Sequence, residues 1–303
     1  MPENSFTLPS FAKINLLLRV FGKRTDGFHE ICTIFQTVSL CDYLTFSAGN
    51  KIILTCDDVK IPTDEKNLIV KAAKILREKF NINKGVKMHL EKRIPAPGGL
   101  GGGSSNAATA LLGLTKLWNV EINRKDLCEI GADLGADVPF FFFGGTALGN
   151  GRGTEIFPLS DFSAEYLLIV TPNVAVSTKD AFARLNAPDL TNKSSKSILK
   201  ICRDEANSLL SKQSKLKNDF EKMIFELEPE IGRVKKNLLD YGATCALMSG
   251  SGASVFGIFD SYVQMQNALG ALQNEQNWCV FPSKTISRAA YEKSLGFDKI
   301  LLG

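Results

Sequence analysis

The sequence has little of the chemistry that proteins use to hold metal ions on their own side chains. Only two histidines, His29 and His89, occur among 303 residues. The seven cysteines are an odd number and form no C-x-x-C pair. Because no histidine or cysteine cluster has metal-ligand spacing, we expect neither a structural zinc site nor a catalytic zinc held by the protein. Cysteines used in this way predict reduced, mostly buried thiols and a cytoplasmic protein.

Long hydrophobic runs and dense basic runs are also missing. The longest apolar stretch is VPFFFFGG at residues 138–145, far shorter than the roughly 20 residues that span a membrane. The N-terminal MPENSFTLPS lacks the charged-then-apolar pattern of a signal peptide. The net charge is only +4, and lysines and arginines are spread along the chain. We therefore expect no membrane and no nucleic acid among its partners, and the sequence leaves partner proteins open.

The overall composition is that of an ordinary globular protein, with 44% hydrophobic and 22% charged residues. Strand-like and helix-like patterns alternate irregularly, which indicates an α+β fold rather than a regular doubly wound sheet. The length suits two domains, and we place them at 1–160 and 161–303. Strands are predicted at 12–22, 33–48, 51–56 and 85–94, in YLLIVTP, and, together with a turn, in ATCALMSGSGASVFGIF. Helices are predicted at 67–80, 104–118, 124–135 and 217–240. The stretch 186–216 is polar and rich in lysine.

A dense cluster of glycines is the most informative local feature. Residues 95–113 read PAPGGLGGGSSNAATALLG, with five glycines in the six positions 98–103. Apolar residues then recur at helical spacing, which predicts an amphipathic helix from about Ser104, with Ser104 as its N-cap. The residues at this spacing are Ala107, Leu111, Leu114 and Trp118.

Glycines at a helix N-terminus let unpaired N–H groups approach an anion closely, and phosphate is the usual guest. The spelling is not that of a Walker A loop, which ends in Gly-Lys-Ser/Thr, nor that of a Rossmann fingerprint. The loop therefore predicts a phosphate site of another kind, with a tight strand-to-helix turn that binds nothing as the alternative.

Three polar residues stand inside segments that otherwise look like core. Lys13 and Asn15 occupy alternate positions of the apolar strand SFAKINLLLRV, so both point to one face. An inward lysine needs an anionic partner, whereas a lysine near a strand end can instead extend to water. Asp137 lies in LGADVPFFFFGG just before Pro139. It could cap a helix that opens with Pro139, or face a cleft as a carboxylate able to take a proton from a hydroxyl.

Two further stretches combine turn residues with polar groups. MSGSGASVFGIF contains a second glycine and serine turn, Ser249–Ala253, before a strand; this turn could be a hairpin or a second wall for a phosphate-bearing ligand. RTDGFHEICT sets Phe28 beside His29 in a loop after the first strand. As a structural feature alone, Asp26-Gly27 is a strong hairpin signal.

Taken in order, these motifs resemble the GHMP kinase superfamily: an A-K-I-N strand, a P-x-x-x-G-L-G-G-G-S-S loop, a D-V-P segment and a late G-S-G-A turn. AKINLLLRVFGKRTDGFHEICTIFQ and KRIPAPGGLGGGSSNAATALLGL resemble, more closely, its 4-diphosphocytidyl-2-C-methyl-D-erythritol kinase family. The pairing of A-K-I-N with D-G-[YF]-H is the most specific element. The likeness runs nearly from end to end and is weakest between about 186 and 235.

The resemblance implies a two-domain GHMP kinase fold with the active site in the interdomain cleft. It implies ATP-dependent phosphorylation of the hydroxyl at position 2 of a methylerythritol that carries cytidine diphosphate, a step of the non-mevalonate route to isoprenoid precursors. Asp137 matches the catalytic aspartate that orients and deprotonates this hydroxyl, and Lys13 matches the lysine beside it. Such a lysine stabilises the incoming alkoxide or the transferring phosphoryl group.

The same resemblance implies the binding residues and the cofactors, ATP and Mg²⁺. Asn15 and His29 match residues that contact the substrate, with His29 reading the cytosine edge. Phe28, where many members have tyrosine, and Phe182 match aromatic residues on the two sides of the base. Ser105 is implied as the Mg²⁺ contact by analogy with other superfamily members. The ATP-binding residues implied are Pro97, Gly98, Gly99, Leu100, Gly101, Gly102, Gly103, Ser104 and Ser105.

Two rival functions stay open on the sequence. Another GHMP kinase, acting on a mevalonate-type, homoserine or sugar alcohol, would not need Phe28 and His29 for base recognition. A catalytically inactive relative that serves as a ligand sensor would be expected to lose Lys13 or Asp137, and both are present.

Overall fold

The structure is a computed structural model that describes residues 5–185, 187–188, 190, 195–211 and 215–296. Its larger sheet is built on two long antiparallel strands, β1 (Phe6–Lys23) and β2 (His29–Gly49). The turn between them is closed by a hydrogen bond from Arg24 N to Phe28 O at 2.7 Å. Gly27 supplies the left-handed conformation that this turn needs, with φ of 83°. The hairpin predicted from Asp26-Gly27 is thus confirmed.

The remaining strands of the larger sheet extend it on both sides. They are β3 (Ile52–Cys56), β4 (Gly85–Glu91), β5 (Thr146–Gly151), β6 (Glu155–Pro158) and β8 (Lys217–Asn218). The order is β3-β4-β2-β1-β8, and β5 joins β2 to β6. β8 is only two residues long, but it pairs in parallel with β1 and so adds a segment from late in the chain at the edge of this sheet.

The smaller sheet is antiparallel and comes entirely from the second half of the chain. Its strands are β7 (Tyr166–Pro172), β9 (Cys245–Met248), β10 (Val255–Phe259) and β11 (Trp278–Ser283), in the order β11-β7-β10-β9. The second glycine turn connects β9 to β10, which pair as a hairpin.

The helices cover the outer faces of the two sheets. Within the described residues they are α1 (Leu68–Lys79), α2 (Gly102–Trp118), α3 (Arg124–Leu134), α4 (Thr178–Arg184), α5 (Ser195–Leu210), α6 (Glu221–Leu227), α7 (Pro229–Asp240), α8 (Tyr262–Leu272) and α9 (Arg288–Leu295), with a 3₁₀ helix at Val138–Phe142. No helix in the described ranges is long and apolar enough to cross a membrane.

The mixed order of elements confirms the predicted α+β fold, with two differences in detail. The single helix predicted at 217–240 is wrong, because β8 opens this stretch and two helices follow. Glu228, which precedes Pro229, has φ of −130° and ψ of 77°, outside the helical region that proline disfavours for the residue before it. Ser104 as the N-cap of α2 is also wrong: the helix begins at Gly102, and Gly101 is the N-cap in a left-handed conformation with φ of 70°.

A close contact between α2 and the larger sheet explains one glycine outside the loop. A Cβ at Gly113 would lie 2.2 Å from the ring of Phe46, so only glycine lets the helix lie this near the sheet. Phe46 is fully buried, and removal of such a side chain typically costs about 3–5 kcal/mol.

A shared apolar layer joins the two sheets. Ala12 and Ile14 on β1 and Leu167 and Ile169 on β7 belong to one cluster of fully buried side chains. A further link comes from α9, where Tyr291 is buried and donates a 2.6 Å hydrogen bond to Phe141 O in the 3₁₀ helix. The division into domains 1–160 and 161–303 stays a prediction.

Candidate active site

A cleft of about 380 Å³ opens between the two sheets. The glycine loop and the N-terminus of α2 form one wall, and β1 and β2 form the floor. The second glycine turn closes the far side through Gly250 and Ser251. Both halves of the chain therefore contribute to one cavity, which contains most of the residues predicted from the sequence.

Lys13 lies at the floor of this cleft and is only 3% exposed. Its Nζ contacts Asn15 Oδ1 at 2.9 Å and the Gly99 carbonyl oxygen at 3.0 Å, and lies 3.2 Å from Asp137 Oδ2. The interpretation as a lysine that extends to water is wrong for this residue. A buried ammonium with three oxygen partners is instead held at a fixed position.

Asp137 meets Lys13 from the opposite side. It stands at the N-cap position of the 3₁₀ helix, but its side chain accepts no capping hydrogen bond there. The interpretation as a helix cap is therefore wrong. Its side chain is 32% exposed, so the carboxylate is paired with an ammonium on one side and open to the cleft on the other. This arrangement suits a group that must receive or orient a hydroxyl proton.

The orientation of the Asn15 amide is set by a chain of hydrogen bonds. Nδ2 donates to Thr33 Oγ1 at 2.7 Å, and Thr33 Oγ1 in turn donates to Leu17 O at 2.8 Å. Because Thr33 accepts from the amide nitrogen, the Asn15 oxygen faces Lys13. Asn15 is 2% exposed, so its first role in this structure is to position the Lys13 ammonium.

The glycine loop owes most of its glycines to protein neighbours. A Cβ at Gly99 would lie 2.2 Å from Ser249 O, and one at Gly98 would lie 2.9 Å from Ser254 Oγ. A Cβ at Gly101 would lie 3.0 Å from Lys13 Cγ, and Gly102 is similarly crowded by Ile94. These four glycines therefore serve close packing of the loop on its surroundings, whether or not phosphate binds.

Gly103 differs from the other glycines of the loop. Apart from its chain neighbours and the backbone of its own helix, no described atom lies within 4 Å of the position its Cβ would take, and Gly103 and Ser104 both line the cleft. They stand in the first turn of α2, where backbone N–H groups have no partner within the helix and the helix dipole is positive. The open, donor-rich surface for an anion is thus at 103–104.

Ser105 is placed differently from its neighbour. It is fully buried, and its Oγ accepts a 2.9 Å hydrogen bond from Ser10 Oγ. One residue along a helix turns the side chain by about 100°, so Ser104 reaches the cleft while Ser105 points into the protein. The structure therefore does not bring the predicted Mg²⁺ contact to the cavity.

The other end of the cleft is aromatic. The rings of His29 and Phe182 stack with centroids 4.8 Å apart, and Phe220 packs edge-on against Phe182 at 4.8 Å. Burial, together with the nearby charge of Lys23, lowers the pKa of His29. The imidazole is therefore neutral at pH 7, with one nitrogen that donates and one that accepts.

Phe28 does not share this stack. Its side chain is 53% exposed, and the guanidinium of Arg152 lies over its ring at 4.6 Å. The structure brings Phe182 and His29 together, and Phe182 lines the cleft, whereas neither His29 nor Phe28 is among the residues that line it. Because His29 covers one face of the Phe182 ring, a base between Phe28 and Phe182 would have to stack on the other face of Phe182. Otherwise the His29 ring would have to move.

The second glycine turn proves to be both a hairpin and a wall of the cleft. Ser249 Oγ donates to Gly99 O at 2.9 Å, and Ser254 N donates to Gly98 O at 3.1 Å. Gly99 O thus accepts from Ser249 and also from Lys13. The two glycine-rich segments are locked to each other through backbone atoms.

Sequence reasoning missed two residues of the site. Arg152 lines the cleft, and its only sequence signal is a charge between two glycines in GNGRGT. Asn218 braces the second glycine turn from β8, and nothing in its neighbourhood marks it. In the described part of the chain, no group of three or more His, Cys, Asp or Glu side chains could hold a metal ion.

Comparisons with known proteins identify the family of this chain. The GHMP kinases N terminal domain matches residues 67–145, and the GHMP kinases C terminal domain matches residues 194–277. A 4-diphosphocytidyl-2-C-methyl-D-erythritol kinase from Thermoanaerobacter pseudethanolicus is 39% identical over 92% of this chain and 96% of its own length. One from Solibacter usitatus is 42% identical over 83% of this chain and 80% of its own length.

A solved structure gives the same result. The crystal structure of a 4-(cytidine 5'-diphospho)-2C-methyl-D-erythritol kinase superposes with a TM-score of 0.74 at 31% identity. The match covers 93% of this chain and 100% of that one. The chain, with its paired lysine and aspartate between two glycine-rich segments, belongs to the 4-diphosphocytidyl-2-C-methyl-D-erythritol kinase family of GHMP kinases.

Proposed function

We propose that this protein transfers the γ-phosphoryl group of ATP to the hydroxyl at position 2 of 4-diphosphocytidyl-2-C-methyl-D-erythritol. The observation that carries the proposal is the 3.2 Å pair of Lys13 Nζ and Asp137 Oδ2 in a cleft. The open first turn of α2 lies at one side of this pair, and the His29–Phe182 stack lies at the other end of the cleft.

Asp137 and Lys13 act on the acceptor hydroxyl. Its oxygen attacks the γ-phosphorus, the bond to the β–γ bridging oxygen breaks, and ADP leaves. Asp137 accepts the hydroxyl proton or holds the hydroxyl in line, and Lys13 balances the charge that develops on the attacking oxygen. Phosphoryl transfer needs little covalent help from the protein, so such positioning and charge stabilisation supply most of the rate enhancement.

The glycine loop binds the ATP phosphates. Gly103 and Ser104 line the cleft in the first turn of α2, where backbone N–H groups have no partner within the helix, and the space around a Cβ at Gly103 is open. The other predicted residues, from Pro97 to Gly102 and including Leu100, set the path of the loop that places these donors. Ser105 supports it from inside through Ser10.

The aromatic end receives the cytidine. Neutral His29 has one donor and one acceptor nitrogen, and the edge of cytosine presents both an acceptor, N3, and a donor, the N4 amino group. Phe182 and Phe28 supply stacking surfaces, and Asn15 borders the path of the methylerythritol chain. Arg152 lies beside Phe28 with its charge directed to the cleft, which suits contact with the diphosphate.

Mg²⁺ would enter with the nucleotide. Ser105 does not fit as its ligand, because the hydroxyl is buried against Ser10. Magnesium in proteins is commonly held by one or two carboxylates and by the substrate phosphates. No step of the mechanism above runs through a metal held by this chain. The cytoplasmic location stays a prediction from the use of cysteine.

A turnover assay with purified protein tests the proposal. Wild-type protein is incubated with ATP, Mg²⁺ and each of four alcohols: the cytidine-bearing substrate, mevalonate, homoserine and galactose. We expect ADP release and a phosphorylated product with the first alcohol only, and its loss in Asp137→Asn. Faster turnover of another alcohol would favour a different GHMP kinase activity. Binding of the cytidine substrate without turnover would favour a sensor.

A further inference from the structure

A single buried amide, that of Asn218, touches both ends of the cleft. Asn218 lies on β8, opposite Leu18 of β1, and is 5% exposed. Its Nδ2 donates to Met248 O at 2.8 Å and to Gly250 O at 2.7 Å. Its Oδ1 accepts from Phe220 N at 3.0 Å. Both amide hydrogens and the amide oxygen are therefore used, in two different directions.

The two donated bonds lead to the phosphoryl-transfer end. They hold the carbonyl groups of Met248 and Gly250 on either side of Ser249, whose Oγ donates to Gly99 O at 2.9 Å. The same Gly99 oxygen accepts from Lys13 Nζ at 3.0 Å. A shift of the turn would therefore move an acceptor that fixes the Lys13 ammonium.

The accepted bond leads to the base end. It fixes the backbone of Phe220, at the N-cap of α6. The Phe220 ring is fully buried and packs edge-on against Phe182, which stacks on His29. A shift of Phe220 would therefore move the stacking surface proposed for cytosine.

We propose that Asn218 is a positioning residue that sets the spacing between the phosphoryl-transfer end and the base end of the cleft. This inference rests on the proposed function, since it assumes a substrate that spans both ends. Glu221 supports the same turn, because its Oε1 accepts from Met248 N at 2.9 Å and its Oε2 contacts Lys235 Nζ at 2.6 Å. Asn218 and Glu221 thus brace the second glycine turn, and Asn218 also fixes Phe220.

Two substitutions separate the two arms of Asn218. In Asn218→Ser the hydroxyl can still accept from the N–H two residues on, as serine does in turns, but it is too short to reach the 248–250 carbonyls. In Asn218→Ala both arms are lost. Asp219→Ala is the matched control: its Oδ2 accepts from Val20 N at 3.1 Å and its Oδ1 pairs with Lys217, so it loses contacts at the same strand but none to the cleft.

The experiment measures kcat and KM for the cytidine-bearing substrate in full-length wild type and the three variants, well below each melting temperature. We expect Asn218→Ser to lower kcat about tenfold or more with KM within about threefold of wild type, because small misplacements of reacting groups cost rate. Asn218→Ala should lower kcat similarly and raise KM about fivefold or more. Asp219→Ala should change both by less than about threefold.

The outcomes separate the inference from the proposed function. Without turnover by wild type, the proposed function fails and takes this inference with it. With active wild type, equal kinetics for Asn218→Ala and Asp219→Ala would mean that Asn218 only stabilises the fold. Equal rises in KM for the serine and alanine variants would refute the two separate arms. If Asn218→Ala does not fold, Asn218→Ser decides alone: an unchanged kcat overturns the inference.

Discussion

Valine substitution at Gly101 and at Gly103 should weaken nucleotide binding in both cases, but only the change at Gly101 should also lower stability. A Cβ at Gly103 meets no described atom within 4 Å outside its chain neighbours and its own helix. The intrinsic helix propensity of valine is more favourable than that of glycine by about a few tenths of a kcal/mol. Gly103→Val should therefore fold as well as wild type. Its side chain would stand where we place a phosphate, and loss of one charge-assisted bond costs about 1.5–3 kcal/mol, or at least a tenfold weaker Kd.

Gly101→Val should instead destabilise the fold. Gly101 has φ of 70°, a conformation that costs a residue with a side chain about 1–3 kcal/mol. Its Cβ would also lie 3.0 Å from Lys13 Cγ and 3.1 Å from the Phe141 ring, so nucleotide affinity and stability should fall together.

Calorimetry supplies both readouts for this pair. Titration with ADP or a non-hydrolysable ATP analogue in the presence of Mg²⁺ gives Kd, and a thermal scan gives Tm. The reasoning is refuted if Gly103→Val keeps both the Kd and the Tm of wild type, since the loop would then be a turn that binds no phosphate at this residue.

Further predictions concern the catalytic pair and the base end of the cleft. Asp137→Asn should lower kcat by about 10² to 10⁴ with ATP affinity unchanged. The double variant Asp137→Asn/Lys13→Met should lose much less than the product of the single losses. Single effects that multiply, or a drop in Tm with kcat intact, would refute the proposal that the two residues act as one catalytic unit. Phe182→Ala and Phe28→Ala should raise the KM for the substrate and leave the KM for ATP unchanged, since stacking is worth about 1–3 kcal/mol per base. Equal activity of the wild type on a substrate without cytidine would contradict a role for these rings in base binding. The pKa of His29 in the folded protein lies below the usual 6.5, so folding favours the neutral imidazole. The contribution of His29 to the free energy of unfolding is therefore fully present above pH 6.5 and is lost as pH falls through the lowered pKa. The kcat/KM for the substrate should fall over the same pH range, because protonation removes the acceptor nitrogen of His29. His29→Gln should remove this acidic fall from the pH profile of kcat/KM.

The sequence predicted the type and place of α1 to α3 and of strands β1 to β4, β7, β9 and β10, but it made no prediction for β5, β6 and β11 or for α4, α5, α8 and α9, and it predicted one helix where β8, α6 and α7 lie. It predicted Lys13 and Asp137 as a pair only through family resemblance. Each residue alone had an adequate structural explanation, extension to water for one and a helix cap for the other. What decides between the readings is the 3.2 Å contact, and the two positions are far apart in sequence. No local pattern encodes a contact between β1 and a 3₁₀ helix from another part of the chain.

The glycine loop shows a second limit. Density of glycine predicted close approach correctly, but the partner of Gly98 and Gly99 is the 249–254 turn, which sequence spacing cannot reveal. The sequence pattern predicts that α2 begins at about Ser104, two residues later than Gly102, where the helix begins in the structure. Since neighbouring helical side chains point about 100° apart, this difference affects which of Ser104 and Ser105 faces the cleft. A prediction of ligands in the first turn of a helix therefore depends on an exact helix start.

The hydrogen bond from Tyr291 to Phe141 O has a consequence for synthesis on the ribosome. Lys13 and Asp137, which we propose to carry the reaction, leave the ribosome in the first half of translation, and domains generally fold as they emerge. The 3₁₀ helix that follows Asp137 nevertheless gains its partner from α9, which emerges near the end. A nascent chain stalled before Tyr291 would expose the apolar surface around Phe141 and Gly144 that this ring covers. We therefore expect no catalytically competent nascent chain before the last helix docks.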